Sequence, residues 1–252
     1  SSDDSNADKI DRVKQKKYFV HNLKCLPHHF TSLDCNRMTI AYFCIAALDL
    51  LGGLDLIDSK KVVGWIYSQQ LTPKSKNDKY VAHCGFRGGS FVGKANANPR
   101  DLEPHDRAHL TSTYTAIASL IVLGDDLKNV DASAIMTAMK SLQNKDGSFR
   151  AMSCPSEDDM RFVFSACATC YMLNDWSGMD TDATYAFIKS SVSYDYGIGQ
   201  GPNLESHAGS TYCAIASLQL MGKLDQIDAD IKGYREKLIF WLVSRQQSGF
   251  QG

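Results

Sequence analysis

Ser112–Gly124 reads STYTAIASLIVLG and Ser210–Gly222 reads STYCAIASLQLMG, so one piece of structure occurs at least twice, 98 positions apart. A diverged copy lies between them at Phe162–Leu173 (FVFSACATCYML), with Phe164 in the place of Tyr114 and Tyr212. A fourth copy, Tyr42–Gly52 (YFCIAALDLLG), opens the series. The period of about 49 residues accommodates an inner helix, an outer helix and two loops. In each copy apolar and small residues run all round the helix, the pattern of a helix buried on every side.

Between the copies lie Ala134–Leu142, Asp182–Val192 and Ile231–Gln246, which alternate apolar and charged residues at helical spacing, as outer helices with one wet face do. A glycine-rich loop follows each outer segment: Gly88-Gly89-Ser90-Phe91, Asp146-Gly147-Ser148-Phe149, Tyr196-Gly197-Ile198-Gly199 and Ser248-Gly249-Phe250-Gln251-Gly252. The glycines supply turns and the large apolar residue is expected to plug the layer. The fold predicted is all-α, a single domain over residues 1–252 built as an alpha-alpha barrel (toroid) of helical pairs. Residues 1–9 are polar and charged and are expected to be disordered. Four inner helices and about five outer ones fall short of a closed ring of six pairs, so the C-terminal part of the barrel is expected to lie beyond this sequence.

Hydrophobic residues make up 44% of the 252 and charged residues 22%, enough to bury a large core. A net charge of −1 provides no overall basic field for nucleic acid. The sequence shows no apolar run of membrane-spanning length and no signal peptide. Of eight cysteines, Cys44, Cys167, Cys170 and Cys213 lie inside apolar helices, which argues for a reducing, cytoplasmic setting.

Helix N-termini favour anions, because free backbone N–H groups and the helix dipole point there. Aligning the copies on Tyr42, Tyr114, Phe164 and Tyr212 puts Arg37, His109, Asp159 and His207 at one position, five residues earlier. Arg161 lies two residues beyond that ring. Three of the four aligned residues can carry or donate positive charge; equally, all four can be plain helix caps. Below them Tyr42, Tyr114, Phe162, Phe164 and Tyr212 stand among Ala, Ser, Thr and Cys. That pattern fits ordinary core packing, or an apolar tunnel with a cationic rim, suited to an isoprenoid diphosphate.

The motifs DMRFVF (159–164), NDWSGMD (174–180), LESHAGST (204–211) and LQLMGKL (218–224) resemble those of protein prenyltransferase beta subunits, and within that family geranylgeranyltransferase type I, from about Arg37 to Gly252. The resemblance implies an alpha-alpha barrel that works as a heterodimer with an alpha subunit. It implies transfer of a geranylgeranyl group from geranylgeranyl diphosphate to the cysteine of C-terminal C-a-a-X proteins such as Rho-type small GTPases, with X mostly Leu or Phe. Carried over position by position, His207, Ala208 and Gly209 match the diphosphate site, where Ala208 replaces the family's usual glycine. Arg161, Tyr114, Phe164 and Cys213 match the isoprenoid pocket, and His109, Thr111 and Phe162 match positions near the end of the peptide. Thr39 matches a threonine that leaves room for the fourth isoprene, where farnesyltransferase has a tryptophan.

The resemblance also implies one Zn²⁺ that holds the substrate cysteine as thiolate, with its Asp, Cys and His ligands after the Gly-Phe-Gln-Gly motif and therefore past Gly252. No metal site is expected within the sequence, and alone it is not expected to be catalytically competent. Cys167-Ala-Thr-Cys170 has CxxC spacing but no partner pair, and it reads as core packing. His28-His29 reads as a solvated or structural pair, and Asp125-Asp126 and Glu157-Asp158-Asp159 as caps or loops. Rival readings are a farnesyltransferase beta subunit, opposed by Thr39 and Phe162, a Rab geranylgeranyltransferase beta subunit, and a non-catalytic helical-repeat scaffold. A terpene cyclase, with a similar barrel, lacks its aspartate-rich motif here.

Overall fold

The computed structural model describes residues 11–75, 78–90, 96–97 and 99–246. The four repeated stretches are helices α2 (Arg37–Leu51), α4 (Leu110–Val122), α6 (Met160–Leu173) and α8 (Ala208–Leu220), packed side by side in chain order. Their starts and stops repeat as well. Gly52 ends α2 and Asn174 ends α6 with left-handed backbone (φ 66° and 50°), and each N–H closes back onto the last turn. Asn is the residue that tolerates this conformation best after Gly, so the diverged copy keeps the same terminator.

The outer layer is α3 (Ser59–Ser68), α5 (Ala132–Leu142), α7 (Thr181–Ser190) and α10 (Tyr234–Ser244). Asp58, Asp131 and Asp180 cap α3, α5 and α7 by accepting backbone N–H groups of the first turn. Inward faces such as Ile135, Met139 and Leu142 of α5, and Phe187 and Ile188 of α7, are buried against the inner helices. The predicted outer helix over 231–246 is shorter. Gly233, at φ 70°, separates α10 from a two-turn helix α9 (Leu224–Asp230).

Phe149 and Ile198 are wholly buried plugs, as the loop pattern predicts. In the first repeat Phe86 is wholly buried in the same way, and Phe91 of the sequence pattern lies outside the described residues. Phe86 pairs with Gln70 in the two-residue ladder of β1 (Gln70–Leu71) and β2 (Gly85–Phe86), as Phe149 pairs with Gln143 and Ile198 with Val192. Its N–H donates to Thr113 Oγ1 (3.0 Å), just as that of Ile198 donates to Thr211 Oγ1 (2.9 Å). Register here is set by those hydrogen bonds, and a glycine doublet does not reveal it. The loop 248–252 and residues 1–9 also lie outside the described residues.

Two features differ from the sequence reading. The inner helices are not buried on every side: Phe43, Leu50, Tyr171 and Tyr212 are more than half exposed. In sequence, an exposed apolar residue on such a helix looks like core. Helix α1 (Arg12–Lys24) carries no apolar stripe and buries only Asn22, yet it lies along α2. Beside the half-buried Phe19, Val20 and Leu23, polar ties hold it there: Lys16 Nζ donates to the Gly52 carbonyl and Arg37 Nη2 to that of Leu23, both at 2.8 Å. No helix among the described residues is long and apolar enough to cross a membrane.

Candidate functional site

The four aligned aromatics form one row. Tyr42 meets Tyr114 with ring centroids 5.7 Å apart, Tyr114 meets Phe164 at 5.3 Å, and Phe164 meets Tyr212 at 5.7 Å. Edge-on contacts of this kind add to apolar burial. The Tyr114 hydroxyl donates to that of Tyr42 (3.3 Å), and burial pushes the Tyr114 hydroxyl pKa up. One turn further along each helix stands an alanine: Ala46, Ala118, Ala168 and Ala216. Residues four apart share a helix face, so the small side chains continue the face that carries the rings. The result is an apolar track running from α8 to α2. Thr39, half-buried, stands on α2 three residues before Tyr42. Cys213 stands beside Tyr212, and its thiol is pushed up to about 11 by burial. Phe43, 60% exposed and next to Tyr42, is a candidate wall residue that the sequence did not single out. In sequence it looks like any other apolar residue of α2.

Three of the four residues five positions earlier are helix caps, whereas Arg37 is the first residue of α2 itself, after Asn36. His109 Nδ1 accepts the Thr111 N–H (3.2 Å), the Asp159 carboxylate accepts that of Arg161 (2.9 Å), and His207 Nδ1 accepts that of Gly209 (3.0 Å). A ring nitrogen that accepts a hydrogen bond carries no proton, so in this geometry both imidazoles are neutral and donate only from Nε2. The alignment's cationic rim is therefore not built from histidines. Burial is also the main cause that lowers the His109 pKa. Arg161 is held by hydrogen bonds to Asp159 and by Glu157, so its charge is matched by two carboxylates, and Asp159 is the main cause raising its pKa. What the three caps offer an anion is N–H donors, and the guanidinium at this level that donates to a carbonyl instead of a carboxylate is that of Arg37.

His109, Thr111 and Phe162, the residues matched to the peptide end by resemblance, come together with Arg161. The His109 and Phe162 rings meet at 5.8 Å, the Arg161 guanidinium lies over Phe162 at 5.3 Å, and Thr111 Oγ1 reaches Ser165 Oγ across to α6 at 3.4 Å. Phe162 is only 4% exposed and props His109 from behind. Ala208 and Gly209 form the first turn of α8, with Gly209 exposed beside the His207 ring. Ala208 adds a methyl group at that turn. A larger cavity, about 600 Å³, opens between α1, α2 and α3 and is lined by Leu23, Ile57, Lys61 and Trp65, so it shares only Arg37 with the rim.

Among the described residues no three of His, Cys, Asp and Glu are placed to hold a metal ion. Cys167 and Cys170 are buried in α6, and Cys170 packs on Met139. Asp125 takes the Tyr67 hydroxyl (2.6 Å) and the Leu127 N–H, and Asp158 takes the Asn144 amide. His28-His29 opens a 3₁₀ helix. The described residues do not fit a Zn²⁺ centre.

An inner ring of helices capped at one mouth, with an aromatic track beneath the caps, defines the class: the chain belongs to the prenyltransferase alpha-alpha toroid family, whose description matches residues 10–252. Two relatives are beta subunits of geranylgeranyl transferase type-1. That of Dictyostelium discoideum is 35% identical over 96% of this chain and 71% of its own length, and that of Arabidopsis thaliana is 39% identical over 96% and 67%. The solved Candida albicans protein geranylgeranyltransferase-I complexed with GGPP superposes with a TM-score of 0.76 at 23% identity, over 95% of this chain and 65% of that one. That likeness shows the fold.

Proposed function

We propose that this chain is the lipid- and peptide-binding part of the beta subunit of a protein geranylgeranyltransferase type I. The observation that carries the reading is the aromatic row, which joins the His207-capped end of α8 to the helix that carries Thr39. A diphosphate at the mouth of α8 takes a hydrogen bond from His207 Nε2–H and meets the free N–H groups of the first turn. The isoprenoid chain lies along Tyr212, Phe164, Tyr114 and Tyr42, and Thr39 leaves its far end room. The end of the C-a-a-X peptide meets His109 and Thr111, with Phe162 behind. Holding the two substrates side by side is this chain's part in forming the bond from the peptide's sulfur to C1 of the lipid as the diphosphate leaves with the electrons of the C1–O bond.

The alpha subunit, Zn²⁺ and a cytoplasmic location belong to the same proposal. They rest on the resemblance, and Zn²⁺ is assigned to the complete subunit, outside the residues described. The test is transfer of labelled geranylgeranyl and farnesyl groups by the complete heterodimer onto peptides ending in C-a-a-Leu and C-a-a-Ser. Geranylgeranyl on the Leu peptide is the expected product. Farnesyl on the Ser peptide makes this a farnesyltransferase subunit, and no transfer with any pair favours the scaffold reading.

A further inference from the structure

The segment Phe86–Gly88 ties together the two helix starts that carry Thr39 and His109. The Phe86 carbonyl accepts the N–H of His109, the cap of α4 (3.1 Å), and the Gly88 carbonyl accepts that of Met38, next to Thr39 on α2 (2.7 Å). Between them, Arg87 is 1% exposed. Its Nη1 pairs with Asp106 Oδ2 (2.7 Å), its Nη2 donates to Gln69 Oε1 (3.3 Å), and its own N–H donates to the Gln69 carbonyl (3.2 Å). Asp106 closes the 3₁₀ turn Pro104–Asp106, three residues before His109. A side chain at position 88 would collide with the Cys35 carbonyl, so the segment lies tight against the start of α2. The small space left between the two helix starts, about 150 Å³, is lined by Asn36, Gly88, Asp106, His109 and Ser112.

A guanidinium buried this deeply is costly unless its geometry is fixed, and once fixed it resists displacement. Both hydrogen-bonded arms of Arg87 hold loops instead of facing the aromatic row. We propose that Arg87, through Asp106, is a positioning residue: it sets His109 relative to Thr39 and so sets the discrimination among the last residues of the peptide. This inference rests on the functional reading above and adds a specificity determinant outside the lining of the site. Lysine can pair with Asp106 but cannot also reach Gln69 with a second arm, so it is a partial substitute.

The experiment compares wild type, Arg87→Met, Arg87→Lys and Asp106→Asn as complete heterodimers, with peptides ending in C-a-a-Leu and C-a-a-Ser at saturating geranylgeranyl diphosphate. Arg87→Met is expected to raise the peptide KM about tenfold, leave kcat within about twofold and lower the Leu-over-Ser preference about tenfold, with lysine recovering part of it. Should Arg87→Met fail to assemble, Asp106→Asn is read the same way, since it keeps the shape and removes the charge. A wild type that discriminates and a folded variant that discriminates equally well overturn the inference alone. So does a loss of kcat and of affinity for both substrates that tracks a lowered Tm. A wild-type complex that transfers nothing overturns the functional reading, and this inference with it.

Discussion

His207 caps α8 by accepting the Gly209 N–H at Nδ1, 3.0 Å away, and the same bond leaves its Nε2–H free at the mouth of the helix. One side chain thus ends a helix and presents a donor. Replacement by alanine removes both roles, at about 1 kcal/mol of stability for the cap and roughly tenfold in lipid diphosphate affinity for the donor. Asparagine keeps the cap without the reach. His207→Asn is therefore expected to melt like wild type in a thermal scan while its lipid titration shows the alanine variant's loss. Equal binding by all three proteins would remove His207 from the diphosphate site.

Thr39 is half-buried on α2, three residues before Tyr42 of the aromatic row. An indole there fills space that strain cannot recover. Thr39→Trp is expected to shift the complete heterodimer from geranylgeranyl toward farnesyl diphosphate in direct competition. An unchanged product ratio would show that the chain end lies elsewhere.

Burial lowers the pKa of His109, opposed by Glu157 and assisted by Arg161, and burial followed by Arg107 lowers that of His83. The unfolded chain, titrating near the ordinary 6.5, then binds more protons than the folded one. Stability is complete above that pH and is lost as pH falls below it and through the lower pKa values of the folded state. His109→Asn, which keeps a capping acceptor, is expected to flatten that limb of a Tm-against-pH curve. An unaltered slope would assign it to other groups.

Cys25 and Cys35 are exposed, whereas burial pushes Cys167 and Cys170 up to about 12. The thiolate is the reactive form. Limited alkylation at neutral pH, followed by peptide mass mapping, is expected to label the two exposed thiols and spare the CxxC pair. Early labelling of Cys170 would contradict the packing of α6 on α5.

Gly147 sits at φ 92° with no room for a side chain beside the Ala183 carbonyl. Gly147→Ala is expected to cost about 2 kcal/mol or more, read from urea unfolding. A neutral result would mean that the loop moves away from α7 without penalty.

The repeat from Ser112 to Gly124 determined the helical-pair architecture without a structure, because copies that share a pattern share a place in the fold. Counting back five residues from its aromatic also found the caps His109, Asp159 and His207. That works because a helix fixes both the rise and the face of every residue along it. Other features depend on partners distant in sequence. Whether His109 and His207 bring charge or cap a helix is decided by where Nδ1 points. The Phe86 N–H finds its partner in Thr113. The polar ties of helix α1 leave no periodic mark. The pairing of Arg87 with Asp106 joins residues whose types alone predict two solvated charges. Local periodicity and backbone geometry are written in the sequence, whereas the burial of a charge and the direction of a lone pair exist only once distant segments have met.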